Sequence, residues 1–288
     1  MGKLQRPLFY LLILFLPTQL TKHFWPDWAM VGGIRVDYLS PTVYLTDLLV
    51  VGLLILVAAE RLGERKSLFK SLSAITFRGP IGRQNVRVIL GLAGGLIFLS
   101  LGVVGSIRPL AGFYKLLKLV EFFLLGLWVK NNFVALLPCC LVPLLSLTII
   151  YSSLIAWGQF LRQGSLGGLF WWLGERTFTS STPGIAQVVL NGQLFLRPYA
   201  TFSHPNVLGG YLATVIPLII TQISNVKSQN YSLNLIAILK MLAIFLGVAT
   251  LFITFSRAAW LVGGIGIILS GLLPSFRKAK KESKKRSS

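Results

Sequence analysis

Acidic residues are scarce in this sequence: eight Asp and Glu stand against 28 Lys and Arg, and the formal net charge is +20. Charged residues of both signs make up only 12% of the chain, about half of their share in an average soluble domain. The two histidines, His23 and His204, are far apart, so the sequence offers no cluster of metal ligands. A phosphate-binding loop of the Walker type is also missing. We therefore expect no metal or other cofactor, and the energy for any reaction has to come with an activated substrate.

Cysteine is nearly absent as well. Cys139 and Cys140 are adjacent in an apolar run, and we interpret them as small packing residues rather than as a disulfide or a metal site. They give no indication of the redox compartment.

Apolar residues, by contrast, are abundant and make up 54% of the chain. Runs of membrane-spanning length recur, and they are continuous rather than alternating. Because helix bundles and closed barrels are the two structures that span a bilayer, continuous runs favour an all-α bundle of transmembrane helices. We expect one transmembrane helical domain over residues 1–274 and a basic cytoplasmic tail over 275–288.

Eight spans account for the apolar runs and place both termini in the cytoplasm. Basic residues cluster between 61 and 87 and again in the tail, and such clusters are retained on the cytoplasmic side. The net charge is therefore a topology signal rather than a sign of nucleic-acid binding, and the tail is suited to anionic lipid headgroups. The predicted spans cover approximately residues 7–20, 41–59, 88–105, 111–129, 133–157, 206–223, 233–254 and 257–274, with a short inside turn at 130–132.

Asp47 in the second predicted span and Lys115, Lys118 and Glu121 in the fourth are charged residues within apolar runs, where charges are costly and must face the bundle or a wet cavity. Lys118 and Glu121 are three residues apart on one helix and are expected to pair. Asp47 is a natural partner for Lys115. Two interpretations stay open for this polar network: a structural set of ion pairs, or a path for protons or a transported substrate.

The longest polar segment, residues 158–205, is predicted to lie outside. Asn191-Gly192 between two apolar runs predicts a β-hairpin, with Arg197 near its base. His204 precedes a proline and is pushed away from helical geometry, whereas Pro205 suits the first position of a helix. The unpaired N–H groups of that helix start favour anions.

A second helix start lies about 50 residues later, where Ser256 is a plausible cap and Arg257 follows it. A cation at a helix N-terminus is opposed by the helix dipole, so Arg257 suggests a nearby anion. Together with Arg197 it would form a phosphate or pyrophosphate cradle. The alternative is that both arginines pair with Glu175 or with lipid phosphates.

Two blocks of sequence surround these helix starts. They read Arg197-Pro198-Tyr199-Ala200-Thr201-Phe202-Ser203-His204-Pro205-Asn206 leading into Leu208-Gly209-Gly210-Tyr211-Leu212, and Thr254-Phe255-Ser256-Arg257-Ala258-Ala259-Trp260-Leu261. Together they resemble the O-antigen ligase/polymerase superfamily of bacterial membrane proteins. The hallmark region covers roughly residues 190–274, and the earlier spans resemble the family in topology only. Asp47 and Gln159 are two lesser points of similarity.

The resemblance implies a metal-independent glycosyltransferase in the bacterial cytoplasmic membrane. Such a protein transfers a glycan from an undecaprenyl pyrophosphate carrier to another glycan, a lipid or a protein at the outer face. Arg197 and Arg257 would hold the pyrophosphate and stabilise its charge. His204 or Glu175 would be the base for the acceptor hydroxyl. Asn206, Ser256 and Arg176 complete the expected substrate-binding residues.

The family continues with a large outer loop and further spans that carry another arginine and a histidine, whereas this chain stops after its eighth predicted span. We therefore expect a shortened relative or an incomplete subunit that needs a partner chain. A transporter or a lipid-carrier flippase is the alternative, and it depends on the charged residues in the predicted spans.

Overall fold

The computed structural model describes residues 4–63, 94–95, 97–136, 141–223 and 231–286. Helix accounts for 67% of these residues, which confirms a mostly α-helical protein. The helices with defined ends are α1 (Gln5–Leu14), α2 (Leu45–Gly63), α3 (Pro109–Leu136), α4 (Leu141–Arg162), α5 (Pro205–Ile223), α6 (Tyr231–Ile253) and α7 (Arg257–Arg286). Three two-stranded antiparallel sheets pair β1 (Thr21–His23) with β4 (Thr42–Tyr44), β2 (Met30–Val31) with β3 (Ile34–Arg35), and β5 (Gln187–Leu190) with β6 (Gln193–Leu196).

Two helices in the described part of the chain are long and apolar enough to cross a membrane, namely α4 and the Leu235–Ile253 portion of α6. The segments Pro205–Thr221 of α5 and Arg257–Leu272 of α7 are apolar but shorter. Of the predicted span at 88–105, the structure describes residues 94–95 and 97–105, and residues 94–95 and 97–104 are helical. The eight-span topology with both termini in the cytoplasm stays a prediction, as does the single domain over residues 1–274.

The first predicted span, residues 7–20, is wrong in its extent. Helix α1 has 10 residues and ends at Leu14, so it is about 15 Å long, half the thickness of a bilayer core. Turns follow it, with the Thr18 N–H donating to the Phe15 carbonyl at 2.9 Å. Pro17 lies in this turn and has no N–H with which to continue a helix.

The second predicted span is also wrong at its start. Residues Thr42–Tyr44 form strand β4 against β1, so helix α2 begins only at Leu45. Asp47 therefore lies in the first helical turn, where its carboxylate accepts the backbone N–H of Tyr44 at 2.7 Å. This is the reciprocal half of a capping box, and it explains a carboxylate at this position without a site deep in the bilayer.

Two further boundaries differ from the prediction. The turn expected at 130–132 is absent, because α3 continues to Leu136 and the Asn132 side-chain amide donates back to the Trp128 carbonyl at 2.8 Å. No proline or glycine interrupts the helix after Gly126. The eighth span, predicted to end at 274, is part of a longer helix, since α7 runs from Arg257 to Arg286; the cytoplasmic location of the basic tail at 275–288 stays a prediction.

The chain divides into two compact units. One contains residues 1–12 and 21–135, and the other contains 13–20 and 136–288. In the second unit, α6 packs against both α4 and α5, and α7 packs along α5. Its core is formed by buried aliphatic residues of α4, α5 and α6, among them Ile149, Leu212 and Ile216.

Helices α5 and α7 run in the same direction and touch along a seam of small residues. A Cβ added to Gly209 would lie 2.9 Å from the Ala259 Cβ, and one added to Gly266 would lie 2.7 Å from Pro217 Cγ. Small side chains let helix backbones approach closely, which is the usual packing between helices in lipid. The seam brings the N-terminal ends of both helices to the same end of the unit.

Candidate functional site

The loop end of the second unit is defined by the segment 162–204, the starts of α5 and α7 and the last residues of α6. Four arginines belong to it: Arg162, Arg176, Arg197 and Arg257. Between residues 141 and 272 the chain has a single carboxylate, Glu175. Most of the residues predicted to form the site therefore lie at one end of one unit.

The predicted hairpin is confirmed. Strands β5 and β6 pair with a two-residue turn at Asn191-Gly192, both with positive φ (49° and 80°) as a type I′ turn requires. Arg197 follows β6 directly, and its N–H donates to the Ala186 carbonyl at 3.0 Å. The hairpin thus fixes the backbone of Arg197, as the sequence predicted.

The Arg197 guanidinium connects two helix ends. Its Nε donates to the Thr254 carbonyl just beyond α6 at 2.8 Å, and Nη2 donates to Oδ1 of Asn206 in the first turn of α5 at 2.6 Å. Burial lowers the pKa of Arg197 from its ordinary value. An arginine has five N–H donors, so three of them make no hydrogen bond within the described residues and remain for a ligand.

Arg257 is the first residue of α7 and is exposed. Ser256 precedes it as predicted, and the Ser256 carbonyl accepts the Trp260 N–H at 2.9 Å. Neither Arg257 nor Arg197 forms an ion pair with a carboxylate in the described ranges, so the alternative in which both arginines pair with Glu175 does not occur there. Arg257 therefore lies at the positive end of a helix, and no carboxylate of the described residues balances its charge.

His204 caps helix α5. Its carbonyl accepts the first helical N–H groups, and its Nδ1 accepts the Asn206 N–H at 3.1 Å. Burial and the charge of Arg197 lower the pKa of His204. A neutral imidazole that accepts at Nδ1 carries its proton on Nε2. In this geometry His204 can donate a hydrogen bond from Nε2, but Nε2 cannot take a proton, which argues against its role as a base.

Glu175 is buried and its carboxylate is fully engaged. Oε1 accepts the Leu166 N–H at 2.7 Å and the Gln159 amide at 2.8 Å, and Oε2 accepts the Gly167 N–H at 2.8 Å. These bonds hold the carboxylate in place and leave little room for an acceptor hydroxyl. The structure thus favours a role for Glu175 in holding the loop rather than in catalysis.

Gln159 is the residue at this end whose role the sequence did not reveal. It is fully buried, and its Oε1 accepts the N–H groups of Tyr199 and Ala200 at 2.9 and 2.7 Å. Its amide donates to the Ala200 carbonyl at 2.9 Å as well as to Glu175. Ala200 has a φ of 51°, a conformation that costs energy for alanine. Gln159 therefore stabilises the strained turn three residues after Arg197.

Arg176 is exposed and contacts the same region through a long hydrogen bond, 3.4 Å, from Nη1 to the Ser203 carbonyl. Phe255, in the turn between α6 and α7, also has a positive φ of 50°. Strained backbone is common at functional sites. All four non-glycine residues with positive φ in the described part lie at the loop end, namely Gln163, Asn191, Ala200 and Phe255.

The predicted polar network forms in the first unit, with one change of partner. Lys118 pairs with Glu121 at 3.2 Å, as expected, and also with Asp47. The predicted Asp47–Lys115 pair is wrong, because Lys118 takes this place while Lys115 is exposed over the Tyr114 ring. The two lysines lie about 60° apart around α3, and helix orientation decides which one faces the carboxylates.

Among the described residues, no group of three or more His, Cys, Asp or Glu side chains is arranged to hold a metal ion. The loop end instead offers arginine and backbone N–H donors. Comparison of the chain with models of protein families, with curated proteins and with solved structures gives no match, so the assignment of function depends on the residues and their geometry.

Proposed function

We propose that this chain is a multi-pass protein of a bacterial cytoplasmic membrane that resembles the O-antigen ligase/polymerase superfamily. It transfers a glycan from an undecaprenyl pyrophosphate carrier to a glycan, lipid or protein acceptor at the outer face. One observation carries the proposal. Arg197 and Arg257 lie at the adjacent N-terminal ends of α5 and α7, and no carboxylate of the described residues pairs with either.

During this transfer, negative charge develops on the pyrophosphate of the donor. The acceptor hydroxyl attacks the anomeric carbon, the carbon–oxygen bond to the pyrophosphate breaks, the bonding electrons leave with the pyrophosphate, and the hydroxyl proton is released to the departing pyrophosphate or to water. Arginine N–H groups and helix N-termini are suited to stabilise that growing charge. Because Glu175 and Nδ1 of His204 are already hydrogen-bonded, the proposal assigns charge stabilisation, not proton removal, to this site.

The two arginines have different parts in this proposal. Arg257 has no protein partner among the described residues and would act as a direct ligand of the pyrophosphate. Arg197 uses two donors to hold Thr254 and Asn206, and its remaining donors would face the same anion. A change at Arg197 thus alters both the ligand set and the positions of the helix ends.

A transporter or lipid-carrier flippase is the alternative, and it requires a charged path through the membrane. Lys118 contacts both Asp47 and Glu121, and Asp47 also caps α2. These contacts support a structural network, so glycan transfer is preferred.

The test is binding of undecaprenyl pyrophosphate to the full chain in lipid nanodiscs. We expect Arg257→Ala to weaken binding about tenfold or more, because a charge-assisted hydrogen bond contributes about 1.5–3 kcal/mol. Arg162→Ala is the matched control, since Arg162 is also exposed but donates only to the Leu166 carbonyl. Undecaprenyl monophosphate should bind more weakly than the pyrophosphate. Equal binding by wild type and Arg257→Ala would remove the basis of the proposal.

A further inference from the structure

The segment between α4 and the hairpin contains a closed loop. Ser165 N–H donates to the Phe178 carbonyl at 3.0 Å, and Gly164 bridges Thr179. The Glu175 carboxylate then closes the base by accepting the N–H groups of Leu166 and Gly167. Residues 167–174, called the tip loop below, project from this base.

The tip loop turns its larger apolar side chains outward. Its 3-10 helix, Gly168–Leu173, lies between Gly167 and Gly174, which have φ of 72° and 90°. Leu169 is 82% exposed, Trp171 54% and Trp172 67%, whereas Leu173 packs against the core of the second unit. A leucine and two tryptophans in contact with water on one short loop are an unusual cost for a protein surface.

The base of the tip loop lies at the level of the last turn of α4. Gln159, in that turn, donates to Glu175 at 2.8 Å. Helix α4 has 22 residues, so it is about 33 Å long and matches the thickness of a bilayer core. If α4 crosses the membrane, its end at Arg162 lies at the lipid–water boundary, and so does the base of the tip loop.

The composition around the tip loop fits that boundary. Tryptophan is enriched at the level of lipid headgroups because its ring is apolar while its N–H is polar. Exposed Arg162 and Arg176 flank the loop on either side, where their charge complements lipid phosphates. The apolar tip of the loop thus matches the boundary with the acyl chains, and the basic flanks match the phosphates of the lipid headgroups.

We propose that the tip loop inserts Leu169, Trp171 and Trp172 into the boundary between headgroups and acyl chains and anchors the loop end to the bilayer. This inference depends on the membrane crossing of α4 in the proposed function. Through Glu175 and Gln159 the anchor is joined to the Ala200 turn. The anchor therefore sets the distance of Arg197 from the membrane surface. At that distance Arg197 would bind the anionic group of a lipid-linked substrate.

The experiment measures depth with a nitroxide label on the full chain in bilayers, in a Cys139→Ser/Cys140→Ser background. Leu169→Cys reports on the tip loop. Gln193→Cys reports on the exposed hairpin turn, and Leu154→Cys on the exposed face of α4, where Leu154 is 58% exposed. Trp172→Cys replaces Leu169→Cys if the latter does not fold. Immersion depth is obtained from collisions of the label with oxygen and with a water-soluble nickel complex.

We expect the Leu169 label about 5–10 Å below the lipid phosphates, as for interfacial anchors, the Gln193 label in water and the Leu154 label in the bilayer core. A Leu169 label as accessible to nickel as the Gln193 label, with Leu154 still in lipid, would refute the anchor and leave the membrane crossing intact. A Leu154 label in water would refute the crossing of α4 and the anchor together.

Discussion

The seam between α5 and α7 gives the sharpest test of the structure, because it contains two pairs of adjacent glycines with opposite surroundings. A Cβ on Gly209 would lie 2.9 Å from the Ala259 Cβ, whereas a Cβ on Gly210 meets nothing within 4 Å. Gly263 and Gly264 on α7 show a similar contrast: a Cβ on Gly263 would lie 2.9 Å from Leu251 Cδ2 of α6 and 3.4 Å from the Ala213 Cβ of α5, whereas a Cβ on Gly264 meets nothing within 4 Å. The variants are the four single changes from glycine to alanine.

The magnitude follows from two opposing effects. Alanine is favoured over glycine inside a helix by about 0.5–1 kcal/mol, and this gain is common to all four variants. Overpacking of a tight contact costs about 1–3 kcal/mol, and only Gly209→Ala and Gly263→Ala create it. The difference within each pair therefore isolates the overpacking cost, and Gly210→Ala and Gly264→Ala should be slightly more stable than wild type.

The assay is the free energy of unfolding of the full chain in bicelles by steric trapping, with the four variants measured side by side. The loop end adds a second readout, since a wider seam should also weaken binding of a pyrophosphate lipid in Gly209→Ala more than in Gly210→Ala. Equal unfolding free energies of Gly209→Ala and Gly210→Ala would refute the close contact of α5 and α7. They would also remove the argument that the two helix starts are adjacent.

Three further predictions concern single side chains. Gln159→Leu breaks four hydrogen bonds around Ala200 and should cost about 4–6 kcal/mol of unfolding free energy; a loss below about 1 kcal/mol would contradict this role. Lys118→Met should cost about 2 kcal/mol by leaving two carboxylates without a counter-charge, whereas Lys115→Met, the exposed control, should change stability little; equal losses would contradict the pairing. The His204 imidazole should titrate below 6.5 in histidine-labelled NMR, and Arg197→Ala should raise its pKa; an unchanged pKa would contradict the influence of Arg197.

The sign of the His204 effect on stability follows from its lowered pKa. Between the folded pKa and the unfolded value near 6.5, the unfolded chain binds more protons than the folded one. The contribution of His204 to stability is therefore fully present above pH 6.5, and it is lost as the pH falls through the pKa of His204 in the folded protein. Acid titration of His204→Gln, compared with wild type, isolates this contribution.

Local sequence signals predicted the loop end well, because each of them acts over a few residues. Asn191-Gly192 selects a two-residue turn through its positive φ values, and Pro205 suits the start of α5 whatever lies around it. Ser256 before Arg257 is likewise a local feature of a helix start. These positions agree with the structure to the residue.

The features that the sequence did not predict depend on distant partners. Residues 42–44 form a strand because residues 21–23 pair with them. Each segment is too short for its own residue pattern to predict a strand. Gln159 is one polar residue at the end of an apolar helix. Its importance is visible only when Glu175 and Ala200, 16 and 41 residues later, lie against it.

The engagement of Glu175 has a practical consequence for work with the purified protein. Four arginines share the loop end with a single carboxylate, and backbone N–H groups and Gln159 already occupy that carboxylate. Dissolved anions must then balance the charge of the arginines, and an anionic substrate has to displace these anions. Phosphate and sulfate buffers should compete with an anionic substrate more strongly than chloride at equal ionic strength, so the choice of buffer anion becomes an experimental variable.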